Sequence, residues 1–513
     1  MGDILVLNMG MKSIRSIIFS PEGEKMASSA RPLTTSLGEN LVEQDPAEWW
    51  EKARIVIRES LIDVGKEQVD AITVTTSSSC LVCVDAAGEA LGNCIMVSDK
   101  RARQESQWIA GLPEFAEVQE RTGLGMDSYL MLPKIRWIKN HQPERFAKTQ
   151  KFLSPNDFLI GKMTGKFVTD IFNAQKYHYD TKMSSRGGYP SALLRQIGLS
   201  EGCLPQVVSP GTVIGTLLPT VAEVLGLCPE TKVVTTTYDA ICSFFGSGVS
   251  EEGDASDVSG TVTVFRALSH RRQLQPNAKI FITPYPQGDL QIVGGSNNLG
   301  GGLIEWVKQC YYQNETYPYE VMEKDASEAR PGAGGVIFLP YLLGERAPIW
   351  NPEARGVFFG LERMHTRREM TRAVFESTGF IDKDMLHAIE ATGMKIRKIR
   401  FSGGLARLNL IAQIKADITG RDIEVLSDFE TTATGAAMLA YIGLGRFRNL
   451  SEAAECFASI RMIIKPDRRN HERYRDLYRL YHDVYENSKD LFRERMEIVQ
   501  RIYPHHEVRI ENL

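Results

Sequence analysis

Ile4–Gly23, ILVLNMGMKSIRSIIFSPEG, reads as a strand, a tight turn at Gly10 and a second strand. Aliphatic residues flank the glycine on both sides, the pattern of a hairpin with a buried face. The bend carries Asn8, Gly10, Met11, Lys12, Ser13 and Arg15. Backbone N–H groups at such a bend can form a nest for an anion. The pattern returns at Asp257–Phe265, DVSGTVTVF, again strand, Gly-Thr turn, strand, in different letters. Gly-containing hairpins are common, so either one alone reads as an ordinary turn. Two halves opening in the same way suggest a duplicated fold with a cleft between lobes.

The surroundings of each hairpin extend this reading. Asp45–Val64 has an N-cap candidate in Asp45, Pro46 in the first turn, and Trp49, Ala53, Ile57 and Leu61 on one face of a helix. Ala71–Thr75 and Leu81–Val84 read as strands, and Leu153–Leu159 and Thr231–Thr236 bring the first half to a close near Gly246. In the second half a short strand enters Gly403-Gly404, and a long amphipathic helix follows within Ile399–Ala416. Glycines there let a backbone pass close to a flat ligand or a phosphate, and a helix N-terminus favours negative charge. Thr432–Leu444 reads as a second helix opening within TTATGAAMLA (431–440), small enough for close packing on a neighbour. From about Asn470, Tyr474, Leu477, Leu480, Tyr481, Val484 and Tyr485 keep helical spacing, predicting a packing helix with a solvated outer face that Pro504 stops.

With 513 residues the chain is too long for one core. A net charge of -4 gives no reason to expect nucleic acid or an anionic membrane as partner. No apolar run is long enough to span a bilayer, and Gly2-Asp3 leads straight into a strand without a signal-like leader. The 8 cysteines are scattered, and the lone CxxC at Cys80 and Cys83 lies in an apolar run with no second pair at zinc spacing. Structural thiols in a reducing, cytoplasmic setting fit.

Several longer stretches carry a resemblance. They are GERAPIWNPEARGVFFGL (344–361), HTRREMTRAVFESTGF (365–380), VEQDPAEWW (42–50), SDKRARQE (98–105), LPKIRWI (132–138), SPNDFLIGKMTGKFVTD (154–170), YDAICSFFGSG (238–248) and SGGLARLNLIAQIKADITG (402–420). In this order they resemble the FGGY carbohydrate kinases, the family of glycerol kinase, xylulokinase and gluconokinase. The resemblance implies an α/β fold of two actin-like (ribonuclease H-like) lobes with a central interdomain cleft, closing over ATP and a sugar or polyol. The implied division is 1–247 for the first lobe, 248–465 for the second and 466–513 for a helical tail packed on the second. A homodimer is the assembly the family suggests, though no stretch declares an interface.

Phosphoryl transfer to a hydroxyl needs a base near the attacking oxygen and charge compensation at the γ-phosphate. Asp239 matches the family's catalytic Asp, and the β-run VVTTT before it places it at a strand's C-terminal end; a helix N-cap is its structural alternative. Asp99 matches the sugar-contacting Asp, although Val97 replaces the family's Trp, and an ion pair with Arg101 or Arg103 is its alternative. Ser77, Ser78 and Ser79 occupy a segment that reads Gln-Met-His in xylulokinases, leaving more room and no cation for the substrate. Gly260 and Thr261 resemble the second phosphate turn, and Gly403 and Gly404 the adenosine motif, with Asn409 as an adenine contact. Gly344, Glu345 and Arg346 read first as hinge and interface structure.

The first hairpin departs from the family pattern. The family places an Asp there for the Mg²⁺–phosphate cluster; Asn8 keeps a carbonyl oxygen but loses the charge, so metal binding weakens. Met11 and Lys12 replace a hydroxyl-bearing pair, and Lys12 offers a point charge instead. Either Lys12 compensates and the enzyme is active, or the chain is a weakened paralogue binding sugar and nucleotide for regulation. Retention of Asp239 and Gly403-Gly404 favours activity. An actin- or chaperone-like ATPase is a third reading, against which SDKRARQE and the 344–361 stretch count.

Overall fold

The computed structural model describes residues 2–38, 40–65, 68–181, 187–270, 274, 279–284 and 290–503. Pro504 lies outside them. The chain forms two units, Met1–Gly248 with Thr431–Phe457, and Val249–Glu430 with Ala458–Leu513.

In the first unit a six-stranded sheet runs Val213–Thr216, Lys232–Thr235, Ala71–Thr76, Ile4–Met9, Ser13–Phe19, Lys25–Pro32. Ile4–Met9 pairs antiparallel with Ser13–Phe19 and parallel with Ala71–Thr76, which is parallel to Lys232–Thr235. A parallel neighbour needs a crossover, and the helix Pro46–Val64 supplies it. Asp45 caps that helix by accepting from Ala47 N (2.9 Å), and Trp49, Ala53, Ile57 and Leu61 are buried on its inner face. Leu153–Leu159 straddles the end of one strand, Lys151–Leu153, and a helix, Pro155–Thr164, begun by a capping box at Ser154 and Asp157.

The second unit repeats the scheme. Its seven-stranded sheet runs Phe281–Pro284, Gln291–Ser296, Thr263–Ser269, Asp254–Ser259, Lys398–Ser402, Asp422–Leu426, Ile460–Ile464. Again an antiparallel meander's first strand, Asp254–Ser259, takes a later strand as parallel neighbour, and a further parallel strand follows. The duplication expected from the two hairpins is therefore one of whole sheet topology. The last helix, Arg468–Ile502, buries Tyr474, Tyr481, Val484, Tyr485 and Phe492. Its Tyr474 hydroxyl donates to Glu376 (2.6 Å) on the helix Arg367–Glu390.

One boundary differs from the sequence division. The sequence division puts Thr432–Leu444 in the second lobe, but the helix there, Thr431–Gly443, packs in the first unit against Asp239–Gly246. A Cβ on Gly435 would overlap the Cys242 carbonyl oxygen, and one on Gly246 would overlap Thr431 O. The two backbones touch because neither glycine has a side chain. Tyr441, further along the helix, donates to Phe19 O (3.0 Å). The small residues of TTATGAAMLA thus do what their size suggested, on the other unit. Cys80 and Cys83 are buried free thiols.

Candidate active site

In the first unit the site is built at the ends of the parallel strands. Threonine hydroxyls stitch those strands together: Thr73 donates to Val234 O (2.8 Å), Thr75 to Thr237 O (2.9 Å) and Thr236 to Val74 O (2.6 Å). This fabric fixes the segment after Lys232–Thr235, and Asp239 opens the helix Asp239–Gly246 that follows. The Asp239 carboxylate is half-buried; it accepts from Ser77 Oγ (3.1 Å) and from Ala240 N (2.7 Å). The candidate base therefore also occupies the first position of a helix.

Ser77 and Ser78 are half-buried, but Ser79 turns inward. Its φ is 59°, and its carbonyl and that of Met96 accept from Lys134 Nζ at 2.6 and 2.7 Å. Burial lowers the Lys134 ammonium to about 8. Asp99 also departs from the expected role. Its side chain is fully buried, and it accepts from Arg101 Nε (2.9 Å), Arg101 NH2 (2.7 Å) and Val42 N (2.7 Å). The ion-pair alternative is the geometry observed: Asp99 and Glu43 hold Arg101, whose guanidinium lies 4.8 Å from the Trp137 ring centroid. Both residues are expected to face substrate; in the structure the Asp99 carboxylate is committed to Arg101 and Val42 N, and the Ser79 side chain is buried while its carbonyl holds Lys134.

One residue near Asp239 carried no signal in the sequence. Asp170 caps the short helix Ile171–Ala174, which leads into Gln175–Tyr177 and sets Lys176 Nζ 5.0 Å from the ring centroid of Tyr238. Burial pushes Asp170 up to about 6. Lys176 is half-buried and has no carboxylate partner among the described residues.

The first hairpin has its carbonyls occupied from behind. Met11 O accepts from Gln44 Nε2 (2.8 Å) and Lys12 O from Leu33 N (2.9 Å), while Trp49 Nε1 holds Gln44 Oε1 (2.9 Å). Asn8 lies opposite Arg15 and Thr75 in the sheet. Lys12 is exposed and has no ion-pair partner among the described residues.

In the second unit the hairpin is gripped more tightly. Gly300, Gly301 and Gly302 lay their amides on its carbonyls: Gly301 N donates to Gly260 O (2.7 Å), and Gly300 N (2.8 Å) and Gly302 N (3.1 Å) to Thr261 O. A Cβ on Gly301 would stand 2.7 Å from Gly260 O. Asn297 Oδ1 accepts from Thr263 N (2.8 Å), and Asn298 N donates to Glu345 Oε1 (2.8 Å). Glu345 and Arg346 thus support the loop leaving the hairpin, with Arg346 NH2 donating to Asn297 O (2.6 Å). Gly403, at φ 88°, passes so close to Ser259 that a Cβ would overlap its carbonyl oxygen. Gly260, Thr261 and Gly404 stay exposed. Asn409 begins the helix Asn409–Thr419, and its side-chain oxygen accepts from Arg461 NH2 (3.0 Å). The sequence reading missed Asn297 and the supporting glycines; the run NNLGGG at a helix start was the available signal.

The exposed Gly260, Thr261 and Gly404 are small residues at turns, a composition suited to phosphate. A metal cage is another matter: among the described residues no group of three or more His, Cys, Asp or Glu could hold a metal ion. Asn8 contributes only a neutral oxygen, so a divalent ion here would be carried mainly by the nucleotide's own phosphates and water. No described helix is long and apolar enough to cross a membrane.

Comparison with known proteins bears on the family and the fold. The N-terminal domain of the FGGY family of carbohydrate kinases matches residues 4–246, and its C-terminal domain residues 255–444. A xylulose kinase from Bacillus subtilis (strain 168) is 27% identical over 95% of this chain and 97% of its own length. A gluconokinase from the same strain is 26% identical over 89% of this chain and 90% of its own. The crystal structure of gluconate kinase from Lactobacillus acidophilus superposes with a TM-score of 0.88 at 25% identity, covering 96% of this chain and 99% of that one. The fold is the one those kinases share. The chain belongs to the FGGY family of carbohydrate kinases and is an enzyme of that class.

Proposed function

We propose that the protein transfers the γ-phosphoryl group of ATP to a hydroxyl of a small sugar, polyol or sugar acid, with Asp239 as general base. The observation that carries this is the Asp239 carboxylate at the end of a parallel strand, half-buried and steadied by Ser77 Oγ and Ala240 N. One oxygen of an aspartate so held can take the proton of an acceptor hydroxyl as the O–P bond forms. The first and second hairpins and Gly403-Gly404 supply phosphate-binding amides, one hairpin per unit. Mg²⁺ bound with ATP supplies charge neutralisation at the phosphates. Lys12, exposed and without an ion-pair partner among the described residues, supports compensation for the charge lost at Asn8. Lys176 beside Tyr238 supports an acceptor carrying a negative group, which places sugar acids ahead of neutral polyols. Asp99 in this reading positions Arg101 and does not contact the acceptor.

The test is ADP release with ATP, Mg²⁺ and a panel of sugars, polyols and sugar acids. Asp239→Asn is expected to lower the rate by roughly 10²–10⁴-fold on any acceptor that supports turnover. Turnover on no acceptor, with nucleotide still bound, would instead favour the regulatory paralogue. In that case Asn8→Asp should restore a rate, because the loss of a hard anionic ligand is then the defect.

A further inference from the structure

Behind the second hairpin lies a cluster of charges that the site described above does not use. Lys415 on the helix Asn409–Thr419 has a fully buried side chain, and its Nζ lies 2.5 Å from Asp257 Oδ2 and 2.7 Å from Asp382 Oδ2. Asp257 sits on the strand Asp254–Ser259 and Asp382 on the helix Arg367–Glu390, and both side chains are as buried as the lysine's. Lys415 Nζ also lies 4.8 Å from the ring centroid of Phe401, on the strand Lys398–Ser402 that leads into Gly403.

An ion group taken wholly out of water costs more than its attraction returns unless further hydrogen bonds complete it. Here the completion runs in one direction. Asp257 Oδ1 accepts from Ser259 Oγ (2.7 Å), Ser259 Oγ pairs with Thr263 Oγ1 (2.9 Å), and Lys415 Nζ reaches Ser259 Oγ at 3.4 Å. Ser259 and Thr263 are the paired residues that close the hairpin, on either side of Gly260, Thr261 and Val262. At the far end Asp382 Oδ1 is buried with no hydrogen-bond partner. Burial and the neighbouring Asp257 hold Asp382 well above the ordinary carboxylate range, and burial opposes the Lys415 charge while the two carboxylates outweigh it. The shorter of the two lysine contacts, 2.5 Å to Asp257, is the one whose carboxylate is tied on to Ser259 and so to the hairpin.

We propose that Lys415, clamped between Asp257 and Asp382, is a positioning residue for the nucleotide phosphates, setting the backbone of the Gly260–Thr261 turn through Ser259. The identity of the ligand rests on the kinase reading; the hold on the turn does not. The three groups come from one strand and two helices, so the turn is tied to the body of its unit.

Two variants test this. Ser259→Ala cuts the link and leaves the ions paired. The triple variant Asp257→Asn, Lys415→Met, Asp382→Asn removes the charges together, so no lone ion stays buried. Hydrogen exchange of the 257–263 peptide and ADP affinity by calorimetry are read on both, beside melting temperature. The expected result is faster exchange in that peptide and roughly ten-fold weaker ADP binding, the cost of one charge-assisted hydrogen bond, with Ser259→Ala melting a few degrees below the wild type because Asp257 Oδ1 loses its donor. Exchange at the wild-type rate in Ser259→Ala overturns the proposal, as does faster exchange with unchanged ADP affinity. A wild-type protein that takes up no ADP defeats the kinase reading instead; exchange alone then decides, faster supporting the hold on the turn and unchanged rejecting it.

Discussion

Glu345 shows what one buried carboxyl does to the pH response. It is 5% exposed and accepts from Asn298 N and Arg346 N, both at 2.8 Å, and burial pushes it up to about 7. Between its unfolded value of 4.5 and 7 the native state holds the proton more tightly than the unfolded chain. Stability therefore falls as pH rises through that window and levels off above it, by at most roughly 3 kcal/mol. Glu345→Gln keeps the acceptor oxygen and removes the titration. Denaturant melts at pH 5 and pH 8 should then differ less than in the wild type, with the variant the more stable at pH 8. Lys176 makes a second case: Lys176→Met should raise KM for sugar-acid acceptors at least several-fold and leave neutral polyols unaffected, and steady-state kinetics on matched acceptor pairs checks it. The placements of Asp239 between a strand and a helix, and of Gly403 at a strand's end, were legible in the sequence because turn and strand-end chemistry is local. Lys134, Lys176 and Lys415 were not, because what a lysine meets depends on segments far away in the chain. Asp99 shows the opposite failure, a motif match whose carboxylate had a nearer claimant two residues on, in Arg101.

Among the elements, hairpins and amphipathic helices were read almost to the residue, since period and capping are written locally, as in Asp45–Val64. Leu153–Leu159 misled because its apolar run joins a strand to a helix buried on nearly every side, which blurs both periods. The contact between Asp239–Gly246 and Thr431–Gly443 was half legible: small residues announced a close partner without naming it. That contact is also the most demanding packing in the first unit, because two glycines meet there. Gly435→Ala forces a methyl into the Cys242 carbonyl and should cost about 3 kcal/mol or more, with Asp239 displaced as its helix moves. Thermal melting and ADP release measured on the same variant should both fall.

At the scale of the molecule the duplication was visible in two short echoes, and the crossing of the chain was not. Nothing in the composition near residue 431 marks a return to the first unit, since a helix carries no label for the sheet it covers. The observed division makes a fragment prediction. Residues 1–248 alone lack the helix that covers Asp239–Gly246 and should be insoluble or molten. The same fragment joined by a flexible linker to 431–457 should be soluble, with cooperative melting followed by circular dichroism. The same threading bears on how the protein is made. A ribosome delivers residue 248 long before residue 457, and at ordinary elongation speeds the interval is roughly 10–40 s. Through that time the growing polypeptide carries an uncovered glycine-bearing helix face, so translation speed and chaperone supply bear on how much of it reaches the native state.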